Sequence, residues 1–118
     1  MRILAGLLAT GAIVAALTPS AFGETNRMRF INGPPNFAAE VRSENDYGPA
    51  AEMEMAAKRD DYFAAGTLAV WDVDPVAETI TLYRASAPQQ PILFRRGDTA
   101  EAEPALPCWR VSVDRLFD

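Results

Sequence analysis

The chain has 118 residues, with 11 Lys or Arg against 16 Asp or Glu, a net charge of −5 at pH 7, no histidine and one cysteine. The length fits one small domain, and an acidic balance without a basic run argues against a nucleic-acid partner. The lack of histidine excludes Ser-His-Asp and Cys-His catalysis and His-ligated metals within this chain.

The amino-terminal sequence has the features of a secretory signal. Arg2 is followed by fifteen uncharged residues, a Thr-Pro-Ser triplet and small residues up to Gly23. That order is typical of a signal peptide, and the apolar stretch is shorter than the roughly 20 residues that span a membrane. The sequence therefore predicts a signal peptide over residues 1–23, a mature domain over 24–118, a periplasmic or secreted location, and membrane contact only before cleavage.

Most of the remaining chain is typical of short strands separated by turns. The β-prone or alternating runs are residues 28–31, 37–42, 67–73, 79–84, 92–94 and 109–116. Asp74-Pro75 separates two of them and predicts a hairpin with its loop over 75–78. Acidic residues and prolines predict an exposed loop over 97–107. The pattern indicates an all-β fold, a small antiparallel immunoglobulin-like β-sandwich of six to seven strands.

The segment between Pro49 and Gly66 allows two interpretations. Its Ala, Glu, Met, Lys and Arg residues favour a helix. Glu52 to Met55, however, alternates charged and apolar residues as a half-buried strand does.

A set of short motifs carries a family resemblance. The matching positions are Arg29, Phe30, Asn32, Pro34, Val41, Phe63, Ala65, Gly66 and Val70. This arrangement resembles the AlgF family of periplasmic alginate biosynthesis proteins, which assist polysaccharide O-acetylation, and related small immunoglobulin-like surface domains. The resemblance implies that residues 52–65 form strand, turn and strand, with the Phe63 ring in the core and a tight turn at Gly66.

The stretch Trp71-Asp72-Val73-Asp74 is the first candidate for a site. On a strand, the two aspartates share one face and Trp71 and Val73 share the other. We favour a strand end that leads into solvent, with Trp71 and Val73 toward the core. A calcium site and a catalytic carboxylate pair are the alternatives, although calcium needs six to eight oxygens and no proton-transfer partner is evident.

Other side chains suggest a contact surface. Trp71 and Trp109 either form a sugar-stacking platform or belong to the core, which we favour. Arg84, Arg95 and Arg96 either bind an acidic partner or carry ordinary surface charge, which we favour. The candidate contacts with a partner or polysaccharide are Trp71, Asp72, Asp74, Arg84, Arg95, Arg96 and Trp109. Cys108 is either buried, which its apolar neighbours favour, or paired with another chain.

These observations predict a non-catalytic protein with no catalytic residues, no cofactor and no metal. The resemblance implies an accessory role in O-acetylation of an exported polysaccharide such as alginate, with an acetyltransferase-type envelope protein or an acidic polysaccharide as partner. The alternative is a structural or adhesion module of a cell-envelope complex. A metal-dependent enzyme that uses Asp72 and Asp74 is the third hypothesis.

Overall fold

A computed structural model describes residues 13–17 and 35–118 of the chain. Its elements, in chain order, are β1 (Ile13–Leu17), β2 (Phe37–Val41), α1 (Pro49–Ala65), β3 (Ala69–Asp74), β4 (Thr79–Arg84), β5 (Ala87–Phe94), β6 (Thr99–Glu101), β7 (Arg110–Ser112) and α2 (Val113–Leu116). Neither helix in this part of the chain is long and apolar enough to cross a membrane.

Strands β1 to β5 form one mixed sheet in sequential order. Strands β2 and β3 run parallel, and every other neighbouring pair is antiparallel. A parallel pair needs a crossover, which α1 supplies. The predicted all-β immunoglobulin-like sandwich is therefore wrong, because a helix covers one face of this sheet.

The long helix overturns the strand-turn-strand prediction for residues 52–65. Pro49 begins the helix, where its missing N–H costs no hydrogen bond. Gly66 ends it with a φ of 111°, and its N–H donates to the Phe63 carbonyl. Only Met55 is fully buried in α1. The helix has no continuous apolar stripe, because it covers a sheet face that carries charged residues.

The apolar core lies on the other face of the sheet. Alternate residues of β2, β3 and β4 point into it, as strand geometry requires. Trp71 and Val73 are among them, as predicted, and Trp71 is 1% exposed. The Trp71 indole Nε1 donates to the Glu101 carbonyl at 2.9 Å and so ties the large sheet to the small one.

The small sheet closes this core and corrects the prediction for residues 97–107. Strands β6 and β7 pair antiparallel within 99–112. Buried residues of the predicted loop, together with the end of the chain, pack against the large sheet; they are Ala100, Ala102, Ala105, Leu106, Val113 and Leu116. The run 109–116, predicted as one strand, is strand β7 followed by helix α2.

The hairpin prediction is confirmed. Strands β3 and β4 pair antiparallel around a turn at residues 75–78. The Asp74 carboxylate accepts hydrogen bonds from the Val76 and Ala77 N–H groups at 3.0 Å. Asp74 therefore caps the turn, which is the usual role of aspartate at such a position.

The export prediction concerns residues that lie mostly outside the described ranges. The cleavage point after Gly23 lies outside them, as do Arg29, Phe30, Asn32 and Pro34 of the proposed resemblance. Strand β1 lies inside the predicted signal and pairs with β2. Cleavage after Gly23 and a periplasmic or secreted location remain predictions.

Candidate functional site

The polar face of the large sheet carries two buried carboxylates side by side. Glu40 of β2 and Asp72 of β3 are register partners, and they are 3% and 6% exposed. Helix α1 lies over this face and brings cations to it, Lys58 beside Glu40 and Arg59 beside Asp72. The prediction that Asp72 lies on a strand end leading into solvent is therefore wrong, because helix α1 covers this face.

Asp72 is fully occupied by Arg42, which lies just after β2. Arg42 Nε and Nη2 donate to the two Asp72 oxygens at 2.9 and 2.8 Å. The remaining guanidinium N–H groups bind both oxygens of Glu52 and the Asp46 carbonyl. These bonds, first those to Asp72 and then those to Glu52, raise the pKa of Arg42 further above its usual range. Arg42, with its hydrogen bonds to Asp72 and Glu52, therefore links β2, β3 and α1 and has a structural role.

Glu40 is held differently, because only one of its oxygens has partners. Its Oε1 accepts from the Tyr62 hydroxyl at 3.3 Å and lies 3.9 Å from Lys58 Nζ. Its Oε2 is buried and has no hydrogen-bond partner among the described residues. A buried carboxylate oxygen without a partner is costly in a folded protein, so Oε2 is placed to accept a water molecule or a cation.

The phenol of Tyr62 is a permanent donor to Glu40 at neutral pH. Burial, and then the Glu40 charge and the hydrogen bond to it, raise the pKa of Tyr62 to about 12. The hydroxyl therefore keeps its proton in the physiological range. It directs Oε1 toward the helix and leaves Oε2 for another partner.

Glu40 Oε2 is the one carboxylate oxygen of this face that is open to a hard divalent cation of the Mg²⁺ type, among the described residues. Such an ion is commonly held by one or two carboxylates, with water and substrate phosphate as the other ligands. Glu40 Oε2 supplies one carboxylate oxygen. No group of three or more His, Cys, Asp or Glu residues within 13–17 and 35–118 is placed to hold a metal ion by itself.

The comparisons with known proteins agree on one assignment. The Uma2 family, described as "Putative restriction endonuclease", matches residues 14–114. The chain belongs to the Uma2 family. A crystal structure described as a "putative nuclease belonging to DUF820" from Anabaena variabilis ATCC 29413 has a similar fold, with a TM-score of 0.53 and 21% identity. The match covers 71% of this chain and 44% of that one, so this chain spans less than half of its length. No curated protein matches.

Membership of Uma2 overturns the functional predictions made from the sequence. The chain is not an AlgF-type accessory of alginate O-acetylation, and the predicted acetyltransferase partner is not supported. The predictions of a non-catalytic chain and of no nucleic-acid partner are wrong for the same reason. The lack of histidine excludes triads, but it does not exclude metal-assisted hydrolysis, which needs only carboxylates and a cation.

In the structure of this Uma2 chain, the predicted contact residues do not form one surface. Trp71 lies in the core with Trp109 packed on it at 5.2 Å between ring centroids, so they form no exposed sugar platform. Asp74 accepts from the Tyr47 hydroxyl at 2.7 Å in addition to capping its turn. Arg84 is a register partner of Ala69 on the core-facing side, away from Asp72, and it pairs with Glu101.

The remaining predicted contact residues, Arg95 and Arg96, lie outside the polar face that carries Glu40 and Asp72. Arg95 is exposed, and Arg96 binds Glu78, Asp114 and Asp118 near the end of the chain. A contact role for these two arginines remains a prediction. Cys108 is exposed with a φ of 67°, so the favoured burial is wrong. Its apolar neighbours in sequence turn inward while the thiol does not.

Sequence reasoning missed Glu40, Lys58 and Tyr62. The signal that could have found them is a glutamate inside an otherwise apolar run, Phe37 to Val41, which is unusual unless the charge has a use. The single lysine of the chain, Lys58, follows 18 residues later on the helix. Nothing local in the sequence indicates that the two meet.

The ion pairs of this site predict acid-sensitive stability. The Arg42 hydrogen bonds lower the pKa of Glu52, and the Ser43 N–H lowers that of Asp46. Because both folded-state values are depressed, the stabilisation is present above the unfolded-state values, about 4, and is lost as the pH falls through the folded ones.

We therefore expect the melting temperature to fall on acidification below about pH 4.5, and Glu52→Gln to lower it at pH 7 but to flatten the acid decline. Thermal unfolding at a series of pH values from 3 to 7 measures this. The exposed neighbour Glu54 provides the control, Glu54→Gln. An acid decline as steep in Glu52→Gln as in the unaltered protein would contradict the assignment.

Proposed function

We propose that this chain is a nuclease domain that hydrolyses the phosphodiester bonds of DNA with the help of a divalent cation bound at Glu40. The observation that carries the proposal is the buried Oε2 of Glu40, which has no partner among the described residues, in a carboxylate whose other oxygen lies 3.9 Å from Lys58 Nζ. Family membership supports the reaction class, since the Uma2 description is that of an endonuclease. The structural neighbour, itself described as a nuclease, supports the fold.

The chain's own residues suit this reaction. A divalent cation, when bound, polarises the phosphoryl oxygen and lowers the pKa of a coordinated water. Glu40 Oε2 would supply an oxygen ligand to that cation, and Tyr62 keeps the carboxylate oriented by donating to Oε1. In the overall reaction the water oxygen bonds to phosphorus, the bond from phosphorus to the leaving oxygen breaks, and a proton from the water ends on the leaving oxygen as a hydroxyl. The phosphate gains negative charge in that step.

Lys58 is the group that would stabilise this developing negative charge on the phosphate. Its side chain is 50% exposed while its ammonium lies 3.9 Å from Glu40 Oε1, so it can reach both the carboxylate and a substrate in solvent. A fixed cation that hydrogen-bonds a developing oxyanion lowers the barrier more than it stabilises the substrate. Lys58 is therefore assigned to transition-state stabilisation.

The test is a cleavage assay with the full chain. Supercoiled plasmid and linear duplex DNA are incubated with Mg²⁺ or Mn²⁺, and nicked or shortened products are followed on gels. We expect cleavage that EDTA abolishes. Lys58→Met should reduce the rate by roughly 10²- to 10³-fold, the usual cost of losing one oxyanion donor.

A matched control separates this effect from the loss of one positive charge. Arg110→Met removes an exposed cation on β7 and should leave the rate unchanged. If the unaltered protein cleaves no DNA with either metal, the proposed function is wrong. If Lys58→Met cleaves at the original rate, the role of Lys58 is wrong.

A further inference from the structure

Arg59 is a mostly buried cation whose hydrogen-bonding capacity is unused by the residues that the structure describes. Its side chain is 16% exposed, and its guanidinium carbon lies 3.9 Å from the centroid of the Tyr83 ring. The nearest anion is Asp72 Oδ2, at 4.0 Å, beyond hydrogen-bonding distance. Within the described ranges its guanidinium donates no hydrogen bond, although an arginine has five N–H donors.

Asp72 does not explain the presence of Arg59. Both oxygens of Asp72 already accept short hydrogen bonds from Arg42. The contrast between the two arginines is sharp, since Arg42 has acceptors for all five of its donors. Arg42 is thus the structural arginine of this face, and Arg59 has donors left for a ligand.

The position of Arg59 relates it to the proposed cleavage site. Glu40 lies on β2, Asp72 is its register partner on β3, and Tyr83 lies on β4. Neighbouring strands are about 4.8 Å apart, so Arg59 lies roughly one to two strand spacings from Glu40. That separation, about 5–10 Å, spans the through-space distance between neighbouring phosphates of one strand, which exceeds the axial rise of about 3.4 Å because the strand also winds around the axis.

The contact with the Tyr83 ring limits which chemical group Arg59 can bind. The guanidinium covers one face of the ring, so a nucleobase cannot stack on that face. Stacking also fixes the plane of the guanidinium, which reduces the freedom that it loses when it binds a ligand. A planar, oriented guanidinium with free N–H groups suits the two oxygens of a phosphate.

We infer that Arg59, stacked on Tyr83, binds a DNA backbone phosphate next to the one that is cleaved beside Glu40 and Lys58. This inference rests on the proposed nuclease function and adds a second phosphate position to it. Arg59 thereby sets how the strand lies across the sheet.

The salt dependence of binding tests this contact. A fluorescein-labelled duplex is titrated with the full chain in the presence of Ca²⁺, and the anisotropy gives Kd at several salt concentrations. Loss of one phosphate contact reduces the slope of log K against log salt by about 1. We expect this for Arg59→Met, with about tenfold weaker binding, whereas Arg59→Lys should keep the slope and bind more weakly because it lacks the planar fork.

Two further variants complete the experiment. Tyr83→Phe keeps the ring and should bind as the unaltered protein does, and Arg110→Met controls for net charge. A merely structural role for Arg59 would lower the melting temperature without changing the slope. Two results would overturn the inference alone, given an unaltered protein that binds and cleaves DNA. The first is an Arg59→Met variant that retains the salt-dependence slope of the unaltered protein. The second is an Arg59→Met variant that fails to fold together with an Arg59→Lys variant that binds DNA as tightly as the unaltered protein. An unaltered protein that neither binds nor cleaves DNA overturns the proposed function as well.

Discussion

Replacing Glu40 by glutamine is expected to reduce metal-dependent DNA cleavage by roughly 10³-fold or more, because the variant loses the anionic oxygen that would hold the cation. The shape of the side chain is retained, so packing on the polar face should not change. Cleavage rates with saturating Mg²⁺, measured on the same plasmid for both proteins, give the ratio.

The same substitution should not destabilise the protein. Glu40 is almost fully buried, one of its oxygens has no partner among the described residues, and the side chain of Lys58 is half exposed. Removing that buried charge relieves a desolvation cost and leaves no buried cation alone. We expect a melting temperature equal to or above that of the unaltered protein, which separates loss of activity from loss of fold.

Glu54→Gln is the matched control, since Glu54 is an exposed glutamate of α1. It should change neither the rate nor the melting temperature. A Glu40→Gln protein that cleaves at the original rate would remove Glu40 from the site. A protein that loses both activity and stability would show that Glu40 is structural.

Replacing Arg42 by methionine is expected to destabilise the fold by about 3–5 kcal/mol, the usual cost of leaving a buried charge without its partner. The abandoned charge is Asp72, 6% exposed and held by two short bonds to Arg42. The loss should appear as a melting temperature lower by more than about 10 °C for a domain of this size. Calorimetry or urea unfolding measures it.

A double variant distinguishes a lost charge pair from lost packing. Arg42→Met combined with Asp72→Leu removes both charges, and it should recover much of the stability that Arg42→Met alone loses. Arg96→Met breaks an exposed cluster of ion pairs and should have a far smaller effect. If Arg42→Met has the same melting temperature as the unaltered protein, the hydrogen bonds of Arg42 to Asp72 and Glu52 do not stabilise the fold.

The alternating residues between Val70 and Leu82 show how much of the fold the sequence predicts. The hairpin, its turn and the inward direction of Trp71 and Val73 follow from a period of two and a turn at Asp74-Pro75, and the structure confirms them. These features depend on residues close together in the chain. Their geometry is therefore decided by local sterics and hydrogen bonds.

Helix α1 shows where that reasoning fails. Its composition favours a helix, yet the alternation of Glu52 to Met55 and the resemblance to the AlgF family favoured strands. A helix over a charged sheet face needs polar residues on its inner side. Such a helix has no sequence signature that separates it from a solvated segment, because polar side chains point toward both surfaces.

By itself, the sequence determined the hairpin from β3 to β4, the inward face of β3 and the absence of histidine chemistry. Only the tertiary structure decided that Glu40 meets Lys58 and Tyr62, the latter 22 residues away. The physical reason is the parallel pairing of β2 with β3, which depends on how the crossover helix packs. That packing brings the buried charges together, and no local pattern in the chain specifies it.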